Sequence, residues 1–174
     1  MFRKVVVGLA LGAAIGGSAA TARQYYERTF ASPEMLQKRL SKNRKYALLL
    51  EDPNFDVQRM PLFSAVSQQG GLAEAASFRD LSRKGHTISF IYAGYRTCGF
   101  PFVVHGGIIG TLLDECLAEA AAQRGKKWSN IKIKYKSPTF SNQFLIIETD
   151  YKEGAYAAEI RNFGGKLLVE ADAF

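Results

Sequence analysis

Between Gly106 and Gln123 the chain carries one helical pattern too apolar for a surface helix, and the patterns around it read as strands. At 100° per residue, Ile108, Ile109, Leu112, Leu113, Cys116, Leu117 and Ala120 fill half of the wheel, with Asp114 just outside that arc. Gly125 terminates the helix. Before it, Thr87 to Tyr95 (TISFIYAGY) is β-branched and aromatic, the composition of a strand. After it, Ile131, Ile133 and Tyr135 alternate with Lys132, Lys134 and Lys136, a half-buried strand that Ser137-Pro138 ends. Residues 144–151, 155–161 and 166–174 read as three more strands, with Asn162-Phe163-Gly164-Gly165 as the hairpin between the last two. An apolar face this wide needs a sheet to lie on. The class is therefore α+β, an antiparallel sheet wrapped around one long central helix.

The first thirty residues are a separate device. Val5 to Ala22 is an uncharged run of 18 residues between Arg3-Lys4 and Arg23, with Tyr25-Tyr26 beyond it. As a helix it would be about 27 Å long, enough for a bilayer core. Gly8, Gly12 and Gly16 form a stripe on which two helices can approach closely. A cleaved secretory or mitochondrial targeting segment is the alternative to a retained anchor in the bilayer. The anchor accounts for the length, the glycines and the interfacial tyrosines together. Residues 31–60 read as an amphipathic helix over about 33–50 and a linker: Ser32 caps, Pro33-Glu34 open the first turn, and Asp52-Pro53-Asn54 stop it. Five basic residues from Lys38 to Lys45 form either a solvated face or a face for anionic lipid. Residues 61–174 make up the folded domain, with a short helical patch near Leu72 to Leu81.

With 23 Lys and Arg against 16 acids the net charge is +7, which favours an anionic partner without choosing it. Two cysteines (Cys98, Cys116) and two histidines (His86, His105) are too few for a disulfide framework or a zinc ribbon. No phosphate-binding loop, nucleophile elbow or nucleic-acid motif accompanies the charge, so nucleic acid is not an expected partner.

Four features occur in order: His105-Gly106-Gly107, Asp114 nine residues after the histidine, Tyr135-Lys136-Ser137-Pro138, and the C-terminal GGKLLVEADAF. Over residues 87–174 this pattern resembles the hotdog-fold acyl-CoA thioesterase superfamily. It is most similar to the phenylacetate-pathway and mitochondrial thioesterase-superfamily members. The resemblance implies a hotdog fold, dimers or dimers of dimers, and hydrolysis of acyl-CoA without metal or bound cofactor. It assigns Asp114 as general base or nucleophile and the Gly106 N–H as oxyanion donor. Two departures stand out. Gly99 to Val104 is apolar where relatives carry a polar side chain before the HGG run. Trp128 stands where relatives often place Ser or Thr; either Ser129 beside it substitutes or Trp128 narrows the acyl pocket.

The residues support that chemistry directly. A thiol leaves readily, so thioester hydrolysis needs little beyond an oxyanion site and a group that activates water or attacks. A helix starting at Gly106-Gly107 offers unpaired N–H groups at the positive end of its dipole, and glycine lets a carbonyl come close. Asp114 lies about 12 Å further along the axis, whereas one carbonyl needs its partners within about 3 Å. We therefore expect a site shared between two protomers. His105 reads as a turn residue, Cys116 as a buried inert thiol, and Lys132, Lys134 and Lys136 as either the wet face of a strand or contacts for coenzyme A phosphates.

Overall fold

The computed structural model describes residues 33–58 and 71–174. The proposed anchor over residues 5–22 and the Ser32 cap lie outside them. Helices α1 (Pro33–Leu40) and α2 (Arg44–Glu51) lead into β1 (Phe55–Gln58), β2 (Leu72–Asp80) and β3 (Thr87–Ala93). A small hairpin, β4 (Cys98–Phe100) and β5 (Val103–Val104), precedes the long helix α3 (Gly106–Ala122). Strands β6 (Ile131–Tyr135), β7 (Gln143–Lys152), β8 (Ala155–Asn162) and β9 (Leu167–Ala173) follow. Seven strands form one antiparallel sheet in the order β1-β2-β3-β7-β8-β9-β6, so β6, the first strand after the long helix, ends up at an edge.

Period-two alternation gives this sheet two apolar faces. Ile91, Ala93, Leu145 and Ile147 face α3, whose Ile109, Leu112, Leu113, Cys116, Leu117, Ala120 and Ala121 are buried among them. Phe78, Ile88, Phe90, Tyr92, Phe144 and Ile146 point the other way. That outer face is covered by Leu36, Leu40, Tyr46 and Leu49 of α1 and α2. Tyr46 meets Phe78 and Phe90 edge-on at 5.6 and 5.3 Å.

Two expectations are corrected here. The single helix over residues 33–50 is two helices, broken at residues 41–43, where Asn43 caps α2 by accepting from the Tyr46 N–H. Two of their five basic residues are engaged by the sheet, and Lys38, Lys42 and Arg44 are exposed. Lys45 pairs with Glu148 at 2.5 Å, and the Arg39 guanidinium lies over the Tyr92 and Phe144 rings. The expected helical patch at residues 72–81 is strand β2: pairing with β1 and β3 on both sides overrides an alanine-rich local preference. Strand β1 falls before residue 61, so α1, α2 and β1 build on the same sheet as the rest.

Candidate active site

The local geometry of the HGG run is set by His105. It is the N-cap of α3, and its Nδ1 accepts from the Gly107 N–H at 2.9 Å. An accepting Nδ1 carries no proton, so the neutral ring has its hydrogen on Nε2. The imidazole lies against Gly99 so tightly that a Cβ there would stand 2.5 Å from His105 Cδ2. This contact ties the β4–β5 hairpin to the start of the helix. The Gly107 amide, expected to be unpaired, is thus occupied by the cap. The Gly106 N–H is the first of the helix and has no acceptor among the described residues. In the next peptide unit, Tyr135 Oη donates to the Gly106 carbonyl at 3.0 Å. Tyr135, read as a half-buried strand residue, is exposed and holds the opening of the helix instead. Its place in the YKSP run was the one available signal.

Asp114 lies on the exposed side of α3, with Gly107, Thr111, Ala118 and Ala122. Its carboxylate has no partner among the described residues. The chain therefore presents an amide and a carboxylate on one helix face, two turns apart, and does not itself bring them together. Ser129 is exposed beyond the far end of β6, its N–H and Oγ both bonded to the Phe174 carbonyl at 3.0 and 3.2 Å. Lys132 and Lys134 on β6 and Lys136 just past its end are exposed; Lys134 pairs with Asp172 and Lys136 with Glu170. Trp128 packs partly buried against the core, edge-on to Tyr156 at 6.1 Å.

The edge strand runs beside this helix face in a definite register. Tyr135 touches Gly106, and a Cβ on Gly110 would stand 3.7 Å from Ile133 Cδ1. Four helical residues rise about 6 Å and two strand residues about 6.7 Å. The two elements thus keep step, and Asp114 falls near the level of Ile131.

A second polar cluster lies on the outer face, and the sequence carried no sign of it beyond a lone histidine. His86 is buried between Asp80 (Nδ1 to Oδ2, 2.9 Å) and Glu148 (Nε2 to Oε1, 3.2 Å), with Phe55 edge-on to its ring. The bond to Glu148, and then that to Asp80, raises the imidazole pKa against the opposing effect of burial. His86 and Lys45 together lower Glu148 from 4.5 to about 2. Burial alone would raise Asp80, but bonds from Ser82, His86 and the Arg83 N–H leave it lowered.

The helix enclosed by an antiparallel sheet is the hotdog fold, as found in structures of the thioesterase superfamily. The PaaI protein from the phenylacetic acid degradation operon of Escherichia coli is 19% identical, with 79% of this chain and 92% of that one covered and a TM-score of 0.52. A hypothetical thioesterase of Streptococcus pneumoniae with coenzyme A is 16% identical, covering 66% and 93%, at 0.52. Thioesterase superfamily member 2 of Mus musculus is 19% identical, covering 58% and 87%, at 0.50. These likenesses establish the fold. No family model matches the chain. In sequence it is 27% identical over 128 residues to FMP10, an uncharacterized mitochondrial membrane protein of Saccharomyces cerevisiae. The match covers 70% of this chain and 47% of the relative, so the chain spans about half the length of the curated protein it matches.

Proposed function

We propose that this protein hydrolyses acyl-CoA thioesters at a mitochondrial membrane, in sites shared by two protomers. The observation that carries this reading is the register of β6 against α3. A strand paired with its own copy across a two-fold axis is antiparallel, and so are the helices beside it. An axis through Ile133, the midpoint of β6, passes at the level of Gly110. It carries position 106 of one helix onto position 114 of the other. The Gly106 amide then faces the partner's Asp114 twice per dimer, and neither group needs another partner in its own chain. In this arrangement Lys132 comes opposite the partner's Lys134, a repulsion that the Lys134–Asp172 pair reduces.

With a thioester carbonyl between them, the Gly106 N–H and the helix dipole stabilise the developing oxyanion. Asp114 takes a proton from the attacking water, and the C–S bond breaks as the thiolate leaves; if Asp114 attacks itself, the thiolate leaves first and water then cleaves the acyl–aspartyl anhydride to release the acid and restore the carboxylate. Ser129 comes from the protomer that supplies Asp114, two strand residues past its level. Lys132, which has no ion-pair partner among the described residues, is offered with Lys134 and Lys136 to the phosphates of coenzyme A. The S. pneumoniae protein of the same fold is described with coenzyme A, which supports that ligand class. The run over residues 5–22 supports membrane attachment, and the name of the yeast relative supports mitochondria. Among the described residues no helix is long and apolar enough to cross a membrane.

Asp114→Asn in the full chain should lower turnover of an acyl-CoA panel by about 100-fold or more, with an unchanged melting curve. Unchanged turnover would remove the proposal. The apolar β4–β5 hairpin favours a second reading, an inactive module that binds acyl-CoA. Saturable binding without hydrolysis at any chain length would favour it.

A further inference from the structure

Two apolar features at opposite ends of α3 are left over, and the two-fold relation brings them together. The first is the tip of the β4–β5 hairpin, where Phe100 is 73% and Phe102 54% exposed. The tip is not loose. Ser141 N–H donates to the Phe102 carbonyl at 2.8 Å, Val104 N–H to the Thr139 carbonyl at 2.8 Å, and Tyr95 meets the Phe102 ring at 6.2 Å. Phe102 adopts φ 65, a left-handed conformation that costs a phenylalanine roughly 1 kcal/mol. A phenylalanine held strained and in water points to a use for its side chain. The second feature is a pocket of about 400 Å³ at the other end of the helix, lined by Ala118, Ala121, Ala122, Trp128 and the Gly125–Lys127 turn. Ala118 and Ala122 are exposed and continue the face that bears Asp114.

We infer that the Phe100–Phe102 tip of each protomer seats in the Ala118–Trp128 pocket of the other. This rests on the shared-site reading above. The axis that carries position 106 of one helix onto 114 of the other carries the space just beyond the start of one helix onto the last turns of its partner, so the tip that precedes one helix lies at the level of the partner's alanine face. Alanines leave the room an aromatic ring needs, and Trp128 gives it an edge to meet. The seated tip closes one side of the cleft between Gly106 and the partner's Asp114, shielding the thioester from bulk water.

The test uses the full chain in detergent with Cys98 replaced by Ser. Phe102→Cys with Ala118→Cys should form an inter-chain disulfide; within one chain the helix alone separates these positions by about 18 Å. Lys132→Cys with Lys134→Cys reports pairing of β6 separately. Both cross-links forming supports the inference. The β6 cross-link alone overturns it and leaves the shared site standing. Neither forming, in protein that light scattering shows to be monomeric, overturns both. Ala118→Leu, on an exposed helix face, is the second variant. It should raise the dimer dissociation constant at least tenfold with an unchanged circular dichroism spectrum, and an unaltered constant counts against the contact.

Discussion

Lowering the pH should release α2 from the sheet before the rest of the molecule unfolds, because Glu148, which His86 also bonds, holds α2 through Lys45. The Glu148 carboxyl sits at about 2 in the folded chain against 4.5. At about 1.4 kcal/mol per tenfold change in proton affinity, a sealed group would contribute roughly 3 kcal/mol. The Glu148 side chain is 39% exposed, and Lys45 is 41% exposed. Water therefore screens the pair, and roughly 1–2 kcal/mol is the expected contribution. A depressed carboxyl stabilises above its unfolded value, so this contribution is present above 4.5 and is lost as the pH falls toward about 2. His86 has the opposite sign. Its raised pKa stabilises fully below 6.5 and is lost as the pH climbs through the folded value. The cluster thus favours the folded state most between about pH 4.5 and 6.5. Urea denaturation, followed by far-ultraviolet circular dichroism from pH 2.5 to 9, measures this. Glu148→Gln should flatten the acid limb and lower stability near pH 6. If wild type and Glu148→Gln lose stability in parallel between pH 5 and 2.5, the clasp does not exist as described.

Gly99→Ala should destabilise by about 1–3 kcal/mol through overpacking against the His105 ring, lowering the urea midpoint; a midpoint within error of wild type would refute that contact. Leu40, fully buried between α1 and the sheet, should cost about 2–5 kcal/mol as Leu40→Ala. A surface-helix reading of residues 33–50 predicts almost nothing for the same change. With the outer face of the sheet covered by α1 and α2, light scattering should find dimers and no tetramers formed by stacking those faces; a tetramer that persists on dilution would contradict this.

Much of the hotdog domain was legible because its signals are local. The helix Gly106–Ala122 and the strands after it follow from apolar period and turn residues, and each lies within a residue or two of its expected place. Strand β2 was not legible, because Leu72–Asp80 is alanine-rich and owes its conformation to pairing with β1 and β3 on both sides rather than to its own pattern. The cap bond of His105 could be suspected from its position before two glycines, but not that it would occupy the Gly107 amide.

The spacing of residues along one helix determined, from sequence alone, that Gly106 and Asp114 of the same chain stand about 12 Å apart along the axis, since helical rise is invariant. Only the tertiary structure decided where β6 would lie. Hydrogen bonding to β9 alone leaves that strand as an edge, and the contacts of Ile133 and Tyr135 fix its register on the helix. Long-range pairing of this kind depends on residues dozens of positions apart meeting in space, which no local pattern encodes.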